Sequence, residues 1–151
     1  QRIGPVDTII GHSVGGAAAI WMMHQLEPAV RPRQAVILAS FSSLDYIMGN
    51  AYRLVGASPA MKLAMDDYIE QKTGHRIPHY SISRAVKNLG DVLIHDRQDR
   101  VTAFRESETL YAAWPGSRLL ATEGFGHGLT APPVFEAVLD FLQIPVFNGQ
   151  D

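Results

Sequence analysis

The 151-residue sequence contains no cysteine. That excludes disulfides, thiolate zinc sites and a cysteine nucleophile. It has no apolar run near the ~20 residues that a membrane-spanning helix needs. Its start does not show the basic stretch followed by an apolar one that marks a signal peptide, so a cytoplasmic location is expected. Charge is sparse as well: 19% of residues are charged and the formal net charge is -2. No run of five or more Lys and Arg occurs, which leaves no electrostatic footprint for nucleic acid or an anionic membrane. The first residue is Gln1 rather than Met, and a fragment, a processed product or a partial chain is expected.

What is present describes a folded domain. Hydrophobic residues make up 46% of the chain, and a chain of this length buries about two-thirds of its unfolded surface, so one domain over residues 1–151 is expected. Four short apolar runs read as strands: Val6 to Ile10, Gln34 to Ser40, Asp91 to His95 and Ser117 to Thr122. The nearly unbroken apolar character of QAVILAS fits a strand covered on both faces. Helical patterns separate them, at Ser13 to Leu26, Val101 to Trp114 and Pro132 to Leu142. Residues 41–89 lack a clear strand and read as a helical insertion. Within it Ser58-Pro59 starts a helix that Gly74 closes, and a short helix is expected over Ser81 to Asn88. Strands alternating with helices argue for an α/β fold around a parallel sheet of about four strands. Most apolar residues of the insertion, Leu44, Ile47, Leu54, Met61 and Met65 among them, are expected in the core. A few are left to line an acyl or alcohol pocket.

At the first strand-to-helix junction stands Gly11-His12-Ser13-Val14-Gly15, a G-x-S-x-G pattern in the context that the pattern requires. A sharp turn there forces the serine into a strained backbone. Side chains at the flanking positions, Gly11 and Gly15, are expected to clash. The hydroxyl then stands above the sheet, next to backbone N–H groups at a helix N-terminus that suit a developing oxyanion. Taken alone, the pattern also fits a glycine-rich turn that cradles a phosphate. A serine becomes a nucleophile when a histidine takes its proton and an acid orients that histidine. The third strand runs into two acids, Asp96 and Asp99, and the fourth into His127 in a glycine-rich loop. Loops at the carboxyl ends of parallel strands share one rim, so the three groups should meet there.

On these residues the chain resembles the C-terminal portion of an α/β-hydrolase. GHSVGG resembles the nucleophile elbow, IHDRQDRVTAF the acid segment and GFGHGL the histidine loop; the LLATEGFGH ending is similar to that of uncharacterised bacterial serine hydrolases. The resemblance implies a partial α/β-hydrolase fold and an esterase-like serine hydrolase that forms an acyl-enzyme on a small-molecule acyl substrate. It implies Ser13 as nucleophile, His127 as general acid and base, Asp99 as orienting acid and the Val14 N–H as oxyanion donor, with no metal and no organic cofactor. Asp96, where the family has glycine, is then expected to cap the loop or face water. His12 is expected to pack at the elbow, and His95 to support the acid loop.

The family's earlier strands, with the loop that gives a second oxyanion donor, have no counterpart here. The first strand, residues 6–10, is therefore expected to be a sheet edge, covered by a missing N-terminal half or by a second copy of the chain. The alternative function is an impaired or non-hydrolytic chain of this fold that binds a ligand or partner.

Overall fold

The computed structural model describes residues 5–86 and 90–144. Four strands, β1 (Thr8–His12), β2 (Gln34–Leu38), β3 (Gly90–Asp96) and β4 (Arg118–Thr122), form one sheet in the order β1-β2-β3-β4. All three pairings are parallel. Helix α1 (Val14–Gln25) follows β1. The insertion after β2 contains α2 (Leu44–Leu54), α3 (Pro59–Thr73) and α4 (Ile82–Ala85). Helix α5 (Phe104–Ala113) links β3 to β4, and α6 (Pro132–Leu142) follows β4.

Successive side chains of a strand point to opposite faces, and the two central strands show the consequence. Ile37 of β2 and Leu93 of β3 pack with Ile20 and Met23 of α1 and with Leu110 and Trp114 on one face. Val36, Val92 and Ile94 pack with Val134 and Val138 of α6 on the other. Both faces being covered, these strands read as apolar runs. The edge strands differ: Ile10 of β1 is 53% exposed and Leu120 of β4 38%. As expected, β1 is an edge among the described residues.

The helix expected from Ser58 to Gly74 is present. Ser58 Oγ accepts the Met61 N–H, Pro59 occupies the first turn, and Gly74 ends the helix at φ 76°. Helix α2, which the sequence does not single out, is capped by Ser43 Oγ accepting the Tyr46 N–H. The short helix of the insertion spans four residues, and the last part of the Ser81 to Asn88 expectation, residues 87 and 88, lies outside the described residues.

The expectation that most apolar residues of the insertion are core is corrected. Neither α2 nor α3 has a buried residue. Leu54 is 88% exposed, and Met61 and Met65 stand in solvent as well. The expectation is met in part at the root of the insertion, where Phe41 is buried and Tyr46 and Ile47 of α2 pack partly buried against the core; over Met61 and Met65 of α3 no described element lies. Of the acids of α3, Asp67 and Glu70 pair with Arg76 at 3.7 and 2.9 Å near the surface, and Asp66 accepts the Tyr52 hydroxyl of α2 at 3.0 Å. Among the described residues no helix is long and apolar enough to cross a membrane.

Candidate active site

Ser13 sits between the end of β1 and the start of α1 with φ 54° and ψ -121°. A non-glycine residue in that region stores on the order of 1–3 kcal/mol and persists when its surroundings over-determine it. They do here. Ser13 N–H donates to the Leu38 carbonyl of the neighbouring strand at 2.8 Å, and the Ser13 carbonyl accepts the Gly16 and Ala17 N–H groups. That carbonyl also accepts the Ser40 hydroxyl at 2.9 Å. The Val14 N–H, next along, takes no backbone acceptor among the described residues.

The glycines of the turn divide differently from expectation. A Cβ on Gly11 would stand 2.7 Å from the Gly15 carbonyl oxygen and from Gly16 Cα, which are backbone atoms that cannot swing away. A Cβ on Gly16 would meet Ile37 and Ser40 at 3.0 Å. A Cβ on Gly15 meets nothing within 4 Å among the described residues. The close approach of α1 to the sheet therefore requires Gly11 and Gly16, and the expected clash at Gly15 is absent because that position faces outward. Gly11→Ala is expected to destabilise the fold by about 1–3 kcal/mol through overpacking. Gly15→Ala, in the first turn of a helix, is expected to be neutral or to stabilise by up to about 1 kcal/mol. Urea unfolding of the two variants measures both, and equal losses would contradict the geometry.

Ser13, His127 and Asp99 are brought together. Ser13 Oγ lies 3.1 Å from His127 Nε2, and His127 Nδ1 lies 2.7 Å from Asp99 Oδ2. Asp99 is buried just past β3 and accepts four donors. Its Oδ1 takes the Val101 and Thr102 N–H groups at 2.8 and 2.9 Å. Its Oδ2 takes His127 and also His95 Nε2 at 3.1 Å. Burial pushes the Asp99 carboxyl up, but the Thr102 N–H, His127 and the Val101 N–H outweigh it and hold the carboxyl below the usual carboxylate range. The carboxylate also fixes the tautomers. His127 Nδ1 and His95 Nε2 face acceptors and carry the protons, so His127 Nε2 is free to accept the Ser13 hydroxyl. His95 Nε2 also points at the Thr102 carbonyl at 2.9 Å, and its Nδ1 accepts from the Ser107 hydroxyl at 2.7 Å.

Asp96 makes no hydrogen bond to an imidazole among the described residues. Its Oδ2 accepts the Phe125 N–H at 2.8 Å and the Thr122 hydroxyl at 3.0 Å, and its Oδ1 accepts the Gln98 N–H at 2.9 Å. Of the two expectations for this residue, capping is met and facing water is corrected: Asp96 is fully buried. Burial raises its carboxyl, yet the Phe125, Gln98 and Gly126 N–H groups and the Thr122 hydroxyl together hold it below the usual range. The acid thereby ties the acid loop to the histidine loop. His12 Nε2 donates to the His127 carbonyl at 2.7 Å, and the two rings meet edge to face. His24, His75 and His79 lie elsewhere, packed around Trp21 and Tyr80.

One support has no sequence signal. Buried Glu106 of α5 accepts the Ser42 N–H at 3.0 Å and the Ser42 hydroxyl, which pins the start of the insertion beside the acid loop. Glu106 reads as an ordinary polar residue of a surface helix, and only the tertiary fold reveals its partner.

No protein-family model matches the sequence, and no curated protein matches it. Solved structures do. The chain is similar to the esterase domain of a Rhodothermus marinus protein, with 14% identity and a TM-score of 0.58 over 91% of this chain and 57% of that one. It is similar to an α/β-hydrolase enzyme from a Medee basin deep-sea metagenome library, with 14% identity and a TM-score of 0.64 over 97% of this chain and 68% of that one. Mouse alpha/beta hydrolase domain-containing protein 10 aligns over 95% of this chain and 62% of its own, with 13% identity and a TM-score of 0.62. The chain spans between 57% and 68% of these three. The four-stranded parallel sheet and its flanking helices are thus part of an α/β-hydrolase fold.

Proposed function

We propose that the chain belongs to a serine hydrolase that cleaves an ester or related acyl bond through an acyl-enzyme. The observation that carries this reading is the hydrogen-bonded series from Ser13 Oγ to His127 Nε2, 3.1 Å apart, and from His127 Nδ1 to Asp99 Oδ2, 2.7 Å apart. Ser13 Oγ attacks the substrate carbonyl carbon as its proton passes to His127 Nε2. The oxyanion that forms lies at the N-terminus of α1, where the Val14 N–H and the helix dipole favour negative charge. The C–O bond to the leaving group breaks, and the departing alcohol takes the proton from His127. Water then gives a proton to the same nitrogen and attacks the acyl carbon, releasing the acid and restoring Ser13. Asp99 stays ionised throughout and holds the imidazole in the tautomer that accepts. No metal or organic cofactor takes part in these steps.

A fluorophosphonate probe, which phosphonylates an activated serine, tests the reading. Labelling of the wild type at neutral pH and its loss in Ser13→Ala support a nucleophile. An unlabelled wild type, or equal labelling of the variant, defeats it.

The edge of β1, unpaired among the described residues, favours a second reading, a non-hydrolytic chain of this fold that binds a partner. Among the described residues the Val14 N–H is the one donor this reading names for the oxyanion, and removal of one oxyanion donor costs about 10²–10³-fold in turnover where it has been measured. We propose that further strands, or a second copy of the chain, pair with β1 in the working protein. On a native sizing column the 151 residues are expected to run as an assembly. A stable monomer with full esterase activity would refute this.

A further inference from the structure

A groove of about 770 Å³ runs between α2 and the loop after β3. Ile47 and Leu54 of α2 line one wall, and Val101, two residues past Asp99, lines the other. Two arginines, Arg53 and Arg100, also line it. Arg100 also lines a smaller pocket of about 330 Å³ that it shares with His127. It therefore borders both the groove and the pocket that His127 lines.

The two arginines bring charge without a balancing partner. Arg100 is exposed and forms no ion pair among the described residues. Arg53 donates to the neutral Asn50 side chain. The one carboxylate on the lining, Asp99, is buried and has its oxygens taken by four donors. An apolar channel with two unpaired cations complements a molecule that is a hydrocarbon chain with an anion at its end. A guanidinium suits a carboxylate in particular, because its forked N–H groups match two oxygens.

We propose that Arg100, with Arg53, selects substrates whose acyl chain ends in a carboxylate, that is, half-esters of short dicarboxylic acids. The methylenes lie on Ile47, Leu54 and Val101, and the terminal carboxylate lies on the guanidiniums. The inference rests on the reading of Ser13 as the acylated residue.

The test compares two 4-nitrophenyl esters of equal carbon count, the pentanoate and the hemiglutarate, in wild type, Arg100→Gln, Arg100→Lys and Arg53→Gln. The readout is the ratio of the two kcat/KM values, in which a loss common to both esters cancels. Wild type is expected to prefer the hemiglutarate by about 10- to 100-fold, the range for one charge-assisted hydrogen bond. Arg100→Gln is expected to bring the ratio near one, with Arg100→Lys between. Equal rates for the two esters in wild type, or a preference that survives Arg100→Gln, overturns the inference and leaves the hydrolase reading intact. Calorimetric titration of Ser13→Ala with glutarate separates the remaining cases. If neither ester is cleaved but glutarate binds, and Arg100→Gln abolishes that binding, the carboxylate site stands and the hydrolase reading falls. If neither ester is cleaved and glutarate does not bind, both fall.

Discussion

Asp99→Asn is expected to lower kcat for ester hydrolysis by about four orders of magnitude, the loss measured when the orienting aspartate of a serine protease becomes asparagine. All four groups on this carboxylate are donors: two backbone N–H groups on Oδ1 and two imidazole N–H groups on Oδ2. An asparagine has one acceptor oxygen. If the oxygen keeps the Val101 and Thr102 N–H groups, its NH2 faces His127 Nδ1 and forces the imidazole to place its proton on Nε2. That nitrogen then opposes the Ser13 hydroxyl instead of accepting from it. If the amide turns over, His127 keeps its tautomer and two buried N–H groups lose their acceptor, at a cost of about 1–3 kcal/mol each. Activity is lost by the first route and stability by the second. A thermal melt beside the kinetics tells them apart. A folded Asp99→Asn protein that keeps a tenth or more of wild-type kcat would remove Asp99 from the mechanism.

The same residue shows how much of the site the sequence makes legible. Asp99 can be separated from Asp96 by its resemblance to a known spacing, and the geometry then gives the physical difference: Asp99 touches two imidazoles, and Asp96 touches the backbone of the histidine loop. The strained serine is legible because a strand, a glycine-framed serine and a helix leave the chain few ways to turn. Which glycines the turn needs is not legible. The packing distance between α1 and the sheet decides that, and it selects Gly11 and Gly16 over Gly15. β2 and β3 are legible because both of their faces are buried. Helix α3 misleads because a periodic apolar stripe tells what a face is suited to touch, and nothing described covers Met61 or Met65. Glu106 and Ser42 stand 64 residues apart and carry no local signal of their contact.

On the proposed hydrolase reading, the edge of β1 and the oxyanion site are linked. In the α/β-hydrolase fold as the sequence resembles it, the second oxyanion donor comes from a loop on strands beyond that edge. Whatever covers Ile10, 53% exposed, is then also what completes the site. Association and catalytic rate should rise together, so activity per chain that depends on protein concentration would point to a second copy as the cover.

Asp91 carries a pH dependence of its own, at the end of the sheet remote from Ser13. It is the second residue of β3, opposite Ala35, is 1% exposed, and accepts the Ala35 N–H on one oxygen. Its other oxygen and the Trp114 indole nitrogen have no partner of ordinary geometry among the described residues. Burial pushes the Asp91 carboxyl from an ordinary 3.8 up to about 7, against the pull of the Ala35 N–H and the Trp114 indole. A folded value above the unfolded one means that the native state holds the proton more tightly. The stabilisation is complete below the unfolded value and is lost as pH rises through about 7. At about 1.4 kcal/mol per pH unit, about 2–3 kcal/mol of it should vanish between pH 5 and pH 8. Asp96 and Asp99 work in the opposite direction: their carboxyls are held low, so their contribution is present above the unfolded value and is lost at pH below that window. Asp91→Asn stays neutral throughout and keeps an oxygen for the Ala35 N–H. The difference in unfolding free energy between wild type and this variant should therefore fall by about 2–3 kcal/mol from pH 5 to pH 8. A difference that stays flat across that range would mean that the carboxyl is ionised in the fold throughout, with the Trp114 indole as its partner.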